Sequence, residues 1–161
     1  MAAGSDLELV LTHEFDAPRA LVFRAWTEPE HASLWWGPQG FTTVSCRMDA
    51  RPGGAYRLAM RGPDGVVRTK RGVYREVTPD CIAFSYAWED ADGNLGHEMR
   101  VTIILEEIGA RTRLTLRQTG FAAIPERDSH WSGWVSCMQR FAEFLAAQLG
   151  AKEKGPCNSI G

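Results

Sequence analysis

The sequence predicts an α+β domain: a seven-stranded curved antiparallel sheet around one long C-terminal helix, with two short helices between the first and second strands. Three observations carry this. Apolar residues recur with a period of two in six successive segments between residues 41 and 119. The connections between those segments are too short for parallel crossovers. Finally, Trp131, Trp134, Val135, Met138, Phe141, Leu145 and Leu149 recur at helical spacing between Pro125 and Leu149. A helix of about 25 residues spans about 37 Å, long enough to lie across the sheet and wall a pocket against its concave face.

The first strand runs from Leu7 to Phe15, with Leu7, Leu9, Leu11, His13 and Phe15 on one side. Asp16-Ala17-Pro18 ends it, with Asp16 as a cap for the next helix and Pro18 tolerated in its first turn. Leu21, Val22, Ala25 and Trp26 form that helix's buried stripe, and Thr27-Glu28-Pro29-Glu30 reads as a capping box for a second short helix ending near Trp36. Six strands follow, at roughly 41–49, 54–61, 66–77, 81–89, 97–107 and 111–119. They are set off by Arg51-Pro52-Gly53-Gly54, Gly62-Pro63-Asp64-Gly65, Thr78-Pro79-Asp80, Asp90-Ala91-Asp92-Gly93 and Gly109-Ala110. Gly150 is the expected stop of the long helix. The expected division is one domain over residues 1–150 and a flexible tail over 151–161.

A formal net charge of -2, from 18 basic and 20 acidic residues spread along the chain, gives no electrostatic footprint for nucleic acid or an anionic membrane. No window has the apolar length of a membrane span and no signal peptide opens the chain, so a cytoplasmic location is expected. Cys46, Cys81, Cys137 and Cys157 lack metal-ligand spacing and fall in different elements, which suits reduced thiols rather than zinc or disulfides. No histidine and carboxylate cluster has metal spacing, and no nucleophile elbow, dinucleotide fingerprint or phosphate loop is present. Neither a metal nor a cofactor is expected.

Six segments carry a family resemblance: His13-Glu14-Phe15-Asp16-Ala17-Pro18-Arg19, Ala25-Trp26-Thr27-Glu28-Pro29-Glu30-His31, Trp35-Trp36-Gly37-Pro38, Arg51-Pro52-Gly53-Gly54, Gly72-Val73-Tyr74-Arg75-Glu76 and His130-Trp131-Ser132-Gly133-Trp134. In this order they resemble the activator of heat shock protein 90 ATPase homologue family, within the START-like (SRPBCC) helix-grip superfamily. The resemblance covers Leu9 to Leu149. It implies the helix-grip fold and one of three roles: a carrier, sensor or stress-related binder of a small hydrophobic or aromatic molecule, a co-chaperone-like module for heat shock protein 90, or a cyclase-like or isomerase-like enzyme. The chaperone activators that give the family its name carry a separate N-terminal chaperone-binding domain. This chain starts a few residues before its first strand, so stimulation of the chaperone's ATPase is not expected.

The residues themselves favour ligand binding. Six tryptophans in 161 residues supply much rigid, amphipathic surface. Trp131, Trp134 and Met138 on the long helix, with Trp35, Trp36 and Trp88, are expected to line the cavity or to build the core beside it. Phe84, Tyr86 and Trp88 alternate with Ala83, Ser85, Ala87 and Glu89, which places the bulky set toward the helix and the small set toward solvent. Met99 and Gln118 belong to the inward rows of the last two strands, where Gln118 could fix a ligand oxygen. His97, on the same row as Met99, is the one candidate acid or base, against a plain rim role. His130 is expected to cap the entry to the long helix. The surface leaves room for a chaperone or for a second copy of the chain.

Overall fold

The first strand, β1 (Glu8–Phe15), ends at an Asp-Ala-Pro turn, and two short helices, α1 (Arg19–Thr27) and α2 (Pro29–Trp35), follow it. Six strands come next: β2 (Thr42–Met48), β3 (Ala55–Arg61), β4 (Val67–Thr78), β5 (Cys81–Trp88), β6 (Met99–Ile108) and β7 (Arg111–Thr119). The chain closes with α3 (Ile124–Asn158). The computed structural model describes residues 7–158, with side chains described for 7–150. Strand order is β1-β7-β6-β5-β4-β3-β2, with every neighbouring pair antiparallel. Strands β2 to β7 are therefore a meander, and β1 extends it by pairing with β7.

The register slips between Thr43 and Ser45 in the β2–β3 pair and between Tyr74 and Glu76 in the β4–β5 pair. Such irregularities bend a strand and sharpen its twist, which curls the sheet around α3. Gly72 belongs to the same bend: a Cβ there would collide with the Ser85 carbonyl oxygen, so only glycine lets β4 and β5 approach this closely. Tyr56 Oη donates to that same carbonyl at 2.7 Å.

The concave face is packed where α1 and α2 wedge between sheet and helix. Trp26 and Trp35 meet edge to face at 4.6 Å between ring centroids, Trp35 lies 4.2 Å from Phe141 of α3, and Phe15 of β1 lies 5.0 Å from Phe141. Trp35 Nε1 donates to the Ala25 carbonyl at 3.0 Å, which satisfies the indole without leaving the core. Thr112, Leu114, Leu116 and Gln118 of β7 face inward and are fully buried, as alternation predicts.

Several local expectations are corrected. Pro18, not Asp16, occupies the N-cap of α1, and no side chain caps it. Thr27 does not open a capping box: its hydroxyl bonds back to the Phe23 carbonyl, and α2 begins on Pro29, whose fixed φ suits a first turn. Ser85 and Ala87 are buried rather than solvent-facing, and Ser85 Oγ accepts from Val73 N–H. Gly150 does not stop α3, whose backbone stays helical to Asn158. One glycine costs a helix only about 1 kcal/mol, too little to end one already running. The expected tail thus shares residues 151–158 with the helix, and 159–161 lie outside the described residues. Cys46, Cys81 and Cys137 are free thiols. No helix among the described residues is long and apolar enough to cross a membrane.

Candidate functional site

Beyond the aromatic wedge, the sheet and α3 diverge and leave a cavity of about 570 Å³, open to solvent on one side. Its floor is Met60 of β3, Lys70 of β4, and Tyr86 and Trp88 of β5; its roof is Ser129, His130, Gly133, Trp134 and Cys137 of α3. The segment after α2 closes one end with Trp36, Gly37, Pro38 and Phe41. That segment is clasped to the helix: Gly37 N–H donates to Cys137 Sγ at 3.4 Å, Gln39 N–H to Ser136 Oγ at 2.8 Å, and Arg140 Nη1 to the Gly37 and Pro38 carbonyls. The cavity falls within the usual range for small-molecule sites.

Lys70 is the feature that sequence reasoning missed. Its side chain is buried among four aromatic rings, 3% exposed, with Nζ 4.6 Å from the ring centroid of Trp36, 4.9 Å from Tyr86, 5.4 Å from Trp134 and 5.6 Å from Trp88. Nζ donates to Tyr86 Oη at 3.2 Å, and no ion pair among the described residues includes it. Ring faces attract a cation but replace only part of its hydration. Burial accordingly pulls the Lys70 amine down to about 7. The same burial holds the Tyr86 phenol well above 10 and pushes the Cys137 thiol up to about 11.

His130 forms a second polar point. Its Nε2 lies 3.1 Å from Trp88 Nε1, and its Nδ1 lies 2.9 Å from the Glu126 carbonyl. An indole N–H can only donate, so Nε2 carries the lone pair and Nδ1 carries the proton. Burial lowers the pKa of this imidazole, which agrees with that neutral tautomer. Both ring nitrogens are occupied, so His130 orients Trp88 in the cavity wall. Glu89 borders the cavity, and its carboxyl is held by Arg57 at 2.8 Å and Arg71 at 3.4 Å, which line a separate hollow with Gly72 and Ser85; Arg57 keeps that carboxyl below the usual range. Arg68 pairs with Asp64 at 2.9 Å.

Of the residues expected to line a ligand site, Trp36, Tyr86, Trp88 and Trp134 border the cavity. Trp35, Phe84, Met99 and Met138 are buried in the core beside it. Gln118 is also buried and already engaged: Trp134 Nε1 donates to its Oε1 at 2.7 Å, and its Nε2 reaches Met99 Sδ at 3.4 Å. Two residues stand elsewhere. Trp131 is 43% exposed, beside Glu8, Leu9 and Val10 at the β1 edge. The helical angle explains why: Trp131 is rotated about 60° from the Trp134, Met138, Phe141 and Leu145 stripe. His97 lies in the loop before β6, because that strand begins at Met99; its ring is 45% exposed and bonds Glu126 Oε1 at 3.0 Å, outside the cavity. Strand alternation therefore does not reach it.

The one sequence signal for Lys70 is Tyr74, a large aromatic on the same row of β4. The odd-numbered row of β4 holds Val67, Val73 and Val77, which argues for an odd face turned inward; the structure turns Lys70 and Tyr74 inward and leaves Val67 and Val73 exposed. Among the described residues, no group of three or more histidine, cysteine or carboxylate side chains is placed to hold a metal ion.

Residues 16–146 match the family model described as Activator of Hsp90 ATPase homolog 1-like protein. The solved structure of the AHSA1 protein from Silicibacter pomeroyi superposes with a TM-score of 0.82 at 26% identity, covering 88% of this chain and 99% of that one. A protein from Chromobacterium violaceum gives 0.76 at 28% identity over 86% and 96%, and one from Nitrosomonas europaea 0.76 at 26% over 89% and 97%. Curated proteins gave no match.

Proposed function

The chain belongs to the Activator of Hsp90 ATPase homolog 1-like family, and from that premise we propose that it captures a small aromatic or hydrophobic molecule in the cavity between sheet and α3. The carrying observation is the site's composition. Trp36, Trp88 and Trp134 present apolar ring surface around a space of about 570 Å³, while Lys70 and Tyr86 supply polar atoms at its inner end. This is the usual build of a small-molecule site: apolar walls with few, placed polar groups. Turnover has weaker support. His130 is engaged at both nitrogens, and Lys70 with Tyr86 forms the polar pair at the inner end of the cavity.

Gly133 offers a direct test. It lies on the cavity roof, and a Cβ there meets only Pro38 Cγ at 3.8 Å, so a larger side chain is accommodated by entering the cavity. Titration with 1-naphthylmethanol, read by quenching of intrinsic tryptophan fluorescence, is expected to saturate for the natural chain and to be at least tenfold weaker for Gly133→Leu. Equal saturation of both would remove the cavity from the account.

A further inference from the structure

The buried lysine narrows the class of ligand. We infer that the cavity selects an aromatic carboxylic acid, its ring between the indoles of Trp88 and Trp134 and its carboxylate on Lys70 Nζ and the Tyr86 hydroxyl. This rests on the cavity being a ligand site and goes beyond it by fixing the ligand's charge and the atoms that read it.

Geometry carries the inference. Lys70 Nζ uses one N–H on Tyr86 Oη, which leaves two donors without a partner among the described residues. Tyr86 Oη accepts that bond and keeps its own proton to give, and the two atoms are 3.2 Å apart, so the two oxygens of one carboxylate reach both. Lys70 is also a buried cation with no carboxylate beside it, an arrangement that a bound anion completes. A neutral ligand would leave the amine as it is; a cationic one would meet repulsion from it.

The groups facing Lys70 leave it as the one that changes charge near neutrality. Tyr86 on β5, Cys46 on β2 and Cys137 on α3 are all raised, the thiols to about 11, and His130 on α3 is lowered. With the amine near 7 in the free protein, an arriving carboxylate draws a proton onto it at pH 8, whereas at pH 6 the proton is already there.

Isothermal titration of the full chain with 1-naphthoate and with 1-naphthylmethanol, in buffers of different ionisation enthalpy, tests this. The acid is expected to bind at least tenfold more tightly than the alcohol, taking up about one proton at pH 8 and almost none at pH 6. Lys70→Met, which keeps the length and removes the charge, is expected to lose that preference while still binding the alcohol. Equal affinity for acid and alcohol without proton uptake overturns the inference and leaves the cavity as an uncharged aromatic site. Binding of neither overturns both the inference and the reading beneath it. An unchanged preference in Lys70→Met overturns the assignment to Lys70.

Discussion

Lys70 is a single residue whose cost is measurable in the unliganded protein. The unfolded chain carries this amine near its ordinary 10.5 and the folded chain near 7, so between these values the unfolded state binds more protons and stability rises with pH. From pH 7 to 9 the gain is roughly 2 kcal/mol. Above about pH 8 the opposite sign enters: Cys46, Cys81 and Cys137 are raised from 9.0 to about 11, so the unfolded state loses their protons first and their contribution to stability falls. Urea unfolding from pH 7 to 8, below the range where the thiols ionise, is therefore expected to show a rising midpoint for the natural chain and a flat one for Lys70→Met. A second residue-scale expectation concerns Trp134, whose indole N–H satisfies the buried Gln118 Oε1 at 2.7 Å. Trp134→Phe leaves that oxygen unpaired and is expected to cost about 1–3 kcal/mol in the same assay. Chemistry at this scale was the least legible in the sequence. Tyr86, Trp36, Trp88 and Trp134 are legible by their size, but Lys70 is not, because three valines on the other row of β4 argue for the opposite face. His97 failed for a different reason: a periodicity argument holds only while the strand lasts, and β6 begins two residues later.

At the scale of elements, order and type followed from period and turn chemistry. The meander from β2 to β7 needed only short connections with glycine, proline and aspartate between alternating runs, and those were visible. Ends were harder. Asp16 and Thr27 carry capping side chains, yet prolines mark the starts: Pro18 is the N-cap before Arg19, and Pro29 is the first residue of α2. Gly150 looked like a stop, but a helix begun by packing against the sheet runs through it to Asn158. Trp131 looked inward because it shares spacing with Trp134, although one step of three residues turns it toward the β1 edge. The same reasoning makes Gly133 informative. Replacing it with leucine removes a glycine from a helix interior, worth roughly 0.5–1 kcal/mol, and adds apolar surface to a partly empty space. Gly133→Leu is therefore expected to raise the thermal midpoint while abolishing binding. A lower midpoint would mean that the roof is already filled.

For the whole molecule, fold and site have different causes. The fold is held by the wedge of Trp26, Trp35, Phe15 and Phe141, where α1, α2, β1 and α3 meet. The cavity lies beyond that wedge, where the curled strands β3 to β5 diverge from α3 and the clasp at Gly37 to Gln39 closes one end. One end of the grip is thus solid and the other open, so the proposed ligand would enter without reorganising the core. Binding to the folded state alone raises stability by mass action, about 2.7 kcal/mol at a hundredfold excess over the dissociation constant. Native mass spectrometry of the protein purified without denaturation from its own host tests the central claim most directly, because a retained mass reports occupancy and identity together. A small non-covalent mass on the natural chain, released on collisional activation and missing from Gly133→Leu prepared in the same way, is the predicted result. Bare protein for the natural chain, or the same adduct on both, would contradict a ligand held in this cavity.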